Sequence, residues 1–185
     1  MAEEKKVYFI TGNADKARYL SKFLDIKIIH KKIELEEIQS LNLQKIVQKK
    51  LKEAYKIVQA PVLVEDVSLG FEALGGLPGP FIKFFLDNMK LVDVCDLIKG
   101  KERGAVARCV FGYFDGKSEE YFEGQLQGRI AEVPRGKGGY GWDQIFIPIG
   151  YNNKTRAELN KKEDQETYLK IKPLGKIKKY LEKLK

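Results

Sequence analysis

Three clusters of polar residues stand at spacings that could do chemistry. Thr11-Gly12-Asn13-Ala14-Asp15-Lys16 follows the apolar run Val7–Ile10. A turn from a strand into a helix aims backbone N–H groups at one point and favours an anion there. Thr11 and Asn13 add hydrogen-bonding groups, and Lys16 adds a positive charge. The loop lacks the paired glycines and Gly-Lys-Ser/Thr of a Walker A motif. A plain helix cap by Asn13 or Asp15 is the simpler alternative. The second cluster is Glu65-Asp66, which follows Val62-Leu63-Val64, with Glu37 as a further carboxylate. Acidic groups at the end of a buried strand are costly unless paired with a cation. Mg²⁺ is commonly held by one or two carboxylates plus substrate phosphates. A helix cap or surface ion pair is the competing explanation.

The third cluster is Gly136-Lys137-Gly138-Gly139-Tyr140-Gly141-Trp142-Asp143. Glycines let backbone approach a ligand closely. Tyr140 and Trp142 can stack on a base, and Asp143 can accept from ring or exocyclic N–H groups. A glycine-rich loop beside core aromatics would look the same. Lys83, after the Pro78-Gly79-Pro80 turn, adds one more cation. Together the clusters supply anion donors, a metal site and a base platform, as a nucleotide phosphate ester held with Mg²⁺ requires.

The elements that must position these residues are legible in outline. Val7–Thr11 and 61–64 read as short buried strands, and 26–30 as a further strand. Ala17, Leu20, Phe23 and Leu24 lie at helical spacing, as do Leu43, Ile46, Val47, Leu51, Ala54, Tyr55 and Val58. Residues 81–88 and 91–98 read as two short helices. Residues 105–114 and 120–125 flank Asp115-Gly116 as a hairpin, with 126–133 as a further strand. Residues 145–147 form a short strand, and Leu174, Ile177, Leu181 and Leu184 line a terminal helix. Helices and strands alternate early and an antiparallel set follows. The fold class expected is α/β, one domain over residues 1–185, with a mixed sheet flanked by helices. Ligands in such sheets bind at the carboxyl ends of the strands.

Composition limits the function classes. The chain has 185 residues, with 34 Lys and Arg against 26 Asp and Glu, a net charge of +8. Residues 151–185 hold 11 of those basic residues and 5 of the acidic ones, a net +6. An apolar content of 43% with 11% aromatics is that of a folded domain. Cys95 and Cys109 are too few for a disulfide framework, which fits a reducing, cytoplasmic compartment. His30 is the single histidine, so His-rich metal motifs are absent, and no nucleophile elbow accompanies it. No apolar run approaches a membrane span, and no signal peptide is visible.

The motifs resemble those of the inosine triphosphate pyrophosphatase family, in its eukaryotic-type branch. The likeness runs from Val7 to about Leu159. It includes Thr11-Gly12-Asn13-x-x-Lys16, Glu37-x-Gln39, Val62-Leu63-Val64-Glu65-Asp66, Leu77-Pro78-Gly79-Pro80-Phe81-Ile82-Lys83, Gly141-Trp142-Asp143 and Thr155-x-Ala157-Glu158-Leu159. The resemblance implies a homodimer whose elongated mixed sheet and helices form two lobes around a nucleotide-binding cleft. It implies hydrolysis of ITP, dITP and XTP to the monophosphate and pyrophosphate with Mg²⁺, for which Mn²⁺ could substitute. Carried over, Thr11, Gly12, Asn13, Lys16 and Lys83 hold the phosphates. Glu37 and Asp66 position the metal with Glu65 nearby, and Asp66 orients or deprotonates the attacking water. Tyr140, Gly141, Trp142 and Asp143 face the base.

The chain departs from the family after Leu159. A family lysine is replaced by Asp164, and its Ser-His-Arg by Tyr168, Leu169 and Lys170. Lys170 keeps a charge but lacks the bidentate fork of Arg. Gln144 stands where the family has proline after Trp-Asp. The alternatives are a relative with altered base specificity or weak activity, and a nucleic-acid-binding module using the basic C-terminus. The second is disfavoured, because stacking aromatics are sparse there.

Overall fold

The computed structural model describes residues 6–12, 14–24 and 27–184. Seven strands form one sheet in the order β2-β1-β3-β5-β6-β7, with β4 paired to β3. They are β1 (Val7–Ile10), β2 (Ile28–Lys31), β3 (Val62–Phe71), β4 (Pro78–Gly79), β5 (Gly104–Phe114), β6 (Glu119–Ile130) and β7 (Phe146–Pro148). β1 runs parallel to β2 and β3, whereas β3/β4 and β6/β7 are antiparallel. The mixed α/β sheet expected from sequence is present. The helices are α1 (Ala14–Leu24), α2 (Leu43–Val58), α3 (Ile82–Asn88), α4 (Leu91–Asp96), α5 (Lys161–Ile171) and α6 (Leu174–Lys183).

The chain forms two compact units. The first comprises Met1–Asp66, Val110–Glu123 and Pro173–Lys185. Its centre is α2 on one face of β1 and β3. Leu43, Val47, Leu51 and Ala54 pack with Ile10, Val62 and Val64, the even-numbered positions of those strands. Odd-numbered positions point to the other face. There Phe9 stacks on Phe111 with ring centroids 6.1 Å apart. α1 packs against α6, and Tyr180 of α6 lies 5.4 Å from both Tyr113 and Phe122. α2 starts where the Asn42 side chain accepts from Lys45 N at 3.1 Å. It ends where Gln59 turns left-handed, two residues before Pro61.

The second unit comprises Val67–Cys109 and Gly124–Lys172. Leu69, Phe71, Ile82, Val94, Ile98, Ile130 and Phe146 are fully or nearly fully buried within it. Each such side chain contributes roughly 1.5–3 kcal/mol by leaving water. Arg103 ties loops to helices by donating to the carbonyls of Ile130, Ile98, Cys95 and Ala131. Buried carbonyl oxygens thereby gain a charged donor.

Three expectations are corrected. β3 does not stop at Val64 but continues to Phe71, so Glu65 and Asp66 lie inside a strand. Residues 120–125 and 126–133 are not two strands, because β6 runs unbroken to Ile130. α5 was not foreseen in the sequence at all.

Candidate active site

β3 supplies the acidic end of the site. Consecutive strand residues face opposite sides of a sheet, so Glu65 and Asp66 diverge. Glu65 meets α1, where Lys16 Nζ donates to its Oε1 at 2.7 Å. Asp66 meets α2, where Lys50 Nζ donates to its Oδ2 at 2.7 Å. The same ammonium donates to Glu37 Oε1 at 2.7 Å. Lys50 is only 9% exposed. Burial works to lower its pKa, but the charges and hydrogen bonds of Asp66 and Glu37 outweigh that, leaving the pKa raised.

Glu37 and Asp66 therefore already converge on one cation. Their hard oxygen donors suit Mg²⁺, which takes one or two carboxylates with phosphates and water. Glu65 is turned to the other face and neutralised by Lys16, so it does not join them. Among the described residues no group of three or more His, Cys, Asp or Glu converges as a metal site. A cation here would rest on the Glu37–Asp66 pair and on substrate oxygens.

Thr11 is anchored where β1 ends. The His30 ring donates from Nε2 to the Thr11 carbonyl at 2.7 Å, and Thr11 N–H donates to Lys31 O at 3.3 Å. His30 thus props the Thr11 carbonyl at the end of β1. Gly12 is exposed, with no heavy atom within 4 Å of where a Cβ would stand. Asn13 lies outside the described residues.

The second unit holds the remaining candidates. Lys83 is exposed in the first turn of α3. Tyr140 is 85% exposed, an open platform. Gly141 follows with φ +63°, and Trp142 is half-buried with its indole N–H buried and lacking a hydrogen-bond partner among the described residues. Asp143 is buried, and its Oδ2 accepts from Tyr140 N–H at 2.9 Å. Its Oδ1 lies 3.2 Å from Arg156 NH1. Burial pushes the Asp143 carboxyl above its usual pKa, against the opposing pull of Arg156 and the Tyr140 N–H. Gly139, at φ +80°, must be glycine, because a Cβ would stand 2.7 Å from Asp143 Oδ2. Lys170 donates to Tyr151 OH at 3.0 Å and lies over the same ring, 5.1 Å from its centroid.

Residues 7–180 match the sequence model of the Ham1 family. The chain belongs to the Ham1 family. An inosine triphosphate pyrophosphatase 2 from Trypanosoma cruzi is 40% identical over 177 residues, covering 94% of this chain and 90% of that protein. An inosine triphosphate pyrophosphatase from Yarrowia lipolytica is 38% identical over 181 residues, covering 95% of each. The fold is that of a Ham1 protein from Coxiella burnetii, at TM-score 0.83 and 24% identity over 97% of this chain and 99% of that one. It is also similar to a dITP/XTP pyrophosphatase from Mycobacterium abscessus, at TM-score 0.78 and 22% identity over 93% of this chain and 98% of that one.

Two side chains of this Ham1 chain were missed by sequence reasoning. Lys50 sits in a lysine-rich helix and reads as solvated. Its signal was position: it falls four residues after Ile46 and four before Ala54, on the buried face. Arg156 occupies the variable position of Thr155-x-Ala157, where nothing in the sequence marks it.

Proposed function

We propose that this Ham1 protein is a nucleoside triphosphate pyrophosphatase. It would hydrolyse non-standard purine nucleotides such as ITP, dITP and XTP to the monophosphate and pyrophosphate, clearing them from the nucleotide pool. The observation that carries the reading is the paired approach of Glu37 and Asp66 to the Lys50 ammonium, at 2.7 Å each. Two carboxylates gathered around a positive charge suit a Mg²⁺-bound triphosphate, with Mn²⁺ as a substitute. The names borne by relatives that span almost the whole chain support the substrate class.

Attack of water on the α-phosphorus expels pyrophosphate, and negative charge grows on the bridging oxygen. A divalent cation held by Glu37 and Asp66 would supply Lewis-acid stabilisation of that charge. Lys16 and Lys83 bind phosphate oxygens and Lys50 balances the carboxylates, so the protein mainly positions and neutralises. Thr11, Gly12 and Asn13 would offer hydrogen bonds to the same phosphates. Asp66 orients the attacking water and accepts its proton. Tyr140 stacks on the base, with Gly141, Trp142 and Asp143 at its edge and Lys170 beyond. The whole chain would act as one catalytic domain, as a homodimer, in the cytoplasm.

The test is pyrophosphate release from ITP with Mg²⁺, in the wild type and in Asp66→Asn. Turnover by the variant should fall at least ~100-fold, the usual scale for a general base, in protein that still unfolds cooperatively. Near-normal turnover by a folded Asp66→Asn protein would remove Asp66 from the mechanism. No release from ITP by the wild type would overturn the function itself.

A further inference from the structure

Arg156 of the second unit lies between two carboxylates, those of Asp143 and Asp164. Its side chain is 9% exposed. Nε donates to Thr167 Oγ1 at 3.2 Å and NH2 to Asp164 Oδ1 at 2.5 Å. The Thr167 hydroxyl in turn donates to the Asp164 carbonyl at 2.9 Å. Asp164 and Thr167 are one turn apart on α5, so they grip the guanidinium from one helix face. The remaining nitrogen, NH1, is left directed at Asp143 Oδ1, 3.2 Å away. Asp143 Oδ2 already accepts from Tyr140 N–H. Both oxygens of Asp143 are therefore held by donors, and Gly139 packs against the carboxylate so closely that it cannot swing that way. Asp164 is half-exposed and screened by water, whereas Asp143 is largely enclosed, so the charge of Arg156 matters more to Asp143.

We infer that Arg156 is the positioning residue that sets base selectivity, by holding Asp143 as a fixed carboxylate that accepts hydrogen bonds and donates none. An ionised carboxylate has no proton to give. Hypoxanthine and xanthine carry a hydrogen on ring N1 and can donate to it. Adenine presents a lone pair at N1, which would face the carboxylate unpaired. A polar site left unpaired by the wrong substrate discriminates far more strongly than a difference in shape. Without the Arg156 charge, burial favours a neutral, donating Asp143, and adenine becomes acceptable. This inference rests on the pyrophosphatase reading and on Asp143 meeting the base edge.

The experiment measures kcat/KM for ITP and for ATP in the wild type, Arg156→Met, Arg156→Lys and Asp143→Asn, with the melt of each. The ITP/ATP ratio should fall at least ~10-fold in Arg156→Met, the lower end expected for losing a charge-assisted hydrogen bond. The loss should lie mainly in KM for ITP. Arg156→Lys keeps the charge and should retain most of the ratio, which a purely structural role would not predict. Asp143→Asn can donate as well as accept, and should lose the ratio with Arg156 intact. It decides the matter if Arg156→Met fails to fold. A wild-type ratio in folded Arg156→Met or Asp143→Asn overturns the inference, as does equal use of ITP and ATP by the wild type. Those outcomes leave the pyrophosphatase reading standing. Release from neither nucleotide removes that reading and this inference with it.

Discussion

Lys50 organises the acidic end of the site, because two carboxylates facing one another need a cation between them. Replacing it by Met keeps the length and removes the charge. Glu37 and Asp66 then repel each other without the ammonium between them, and Asp66 is the more enclosed of the two. Lys50→Met should cost about 1.5–3 kcal/mol of unfolding free energy, the usual worth of a hydrogen bond to a charged group. Urea unfolding reads it. The folded pKa of Lys50 is raised above 10.5, so its stabilisation is fully present below pH 10.5 and fades as pH rises through the folded value. The gap between wild type and variant should stay level from about pH 7 to 10 and close above that. A gap that closes in mild acid instead would mean Lys50 is not the group responsible. Glu65, Asp66 and Lys16 were legible because polar residues beside an apolar strand are anomalous there. Lys50 was not, since Gln48-Lys49-Lys50-Leu51-Lys52 has the composition of a wet helix face. Only its place in the apolar stripe of α2 betrays it.

At the scale of elements, the sequence misled where an element is defined by its neighbours. The sequence reads 120–125 and 126–133 as two strands, whereas β6 carries Gly124 and Gly128 straight through. In the fold they are close approaches. A Cβ on Gly124 would stand 2.4 Å from Ile171 O, and one on Gly128 2.4 Å from Ile147 O. β1, α2 and the start of β3 were legible because their apolar periods match the faces they bury. α5 was not, because it buries only Thr167 and Ile171 and uses its polar residues to grip Arg156. Its visible signature was the Asn160-x-x-Glu163 capping box. Asn160 Oδ1 accepts from Glu163 N at 3.0 Å, and Glu163 Oε2 accepts from Asn160 N at 3.0 Å. A helix with so little apolar burial leans on its cap. Asn160→Ala should cost ~1 kcal/mol and lower Tm by ~2–4 °C. Hydrogen exchange should quicken first at the amides of 162–164. An unchanged melt with unchanged exchange there would show that packing alone holds α5.

At the scale of the whole molecule the question is what a net charge of +8 does. Many of the cations in residues 151–185 are engaged by partners in the fold. Arg156 is paired with Asp143 and Asp164, Lys154 with Glu163, Lys170 lies on Tyr151, Lys172 is buried, and Lys176 donates to Glu123 O. Lys179 and Lys183 of α6 are exposed and contribute only to the outer field. A positive field draws in a polyanion such as a nucleoside triphosphate and raises its encounter rate, an effect that salt erases. The Debye length drops from about 10 Å at 0.1 M to about 3 Å at 1 M ionic strength. kcat/KM for ITP should therefore fall several-fold across that range, with kcat nearly constant. Lys179→Glu with Lys183→Glu reverses two charges, each by two units, and takes the net charge from +8 to +4. That double variant should begin with a lower kcat/KM at low salt, show a shallower decline, and keep the wild-type kcat. An equal salt slope in wild type and double variant would mean that the global field does not steer the substrate. The salt dependence would then belong to Lys16 and Lys83 at the phosphates. Tight, steeply salt-dependent binding of duplex DNA by the wild type, lost in the double variant, would instead give the basic surface a nucleic-acid role.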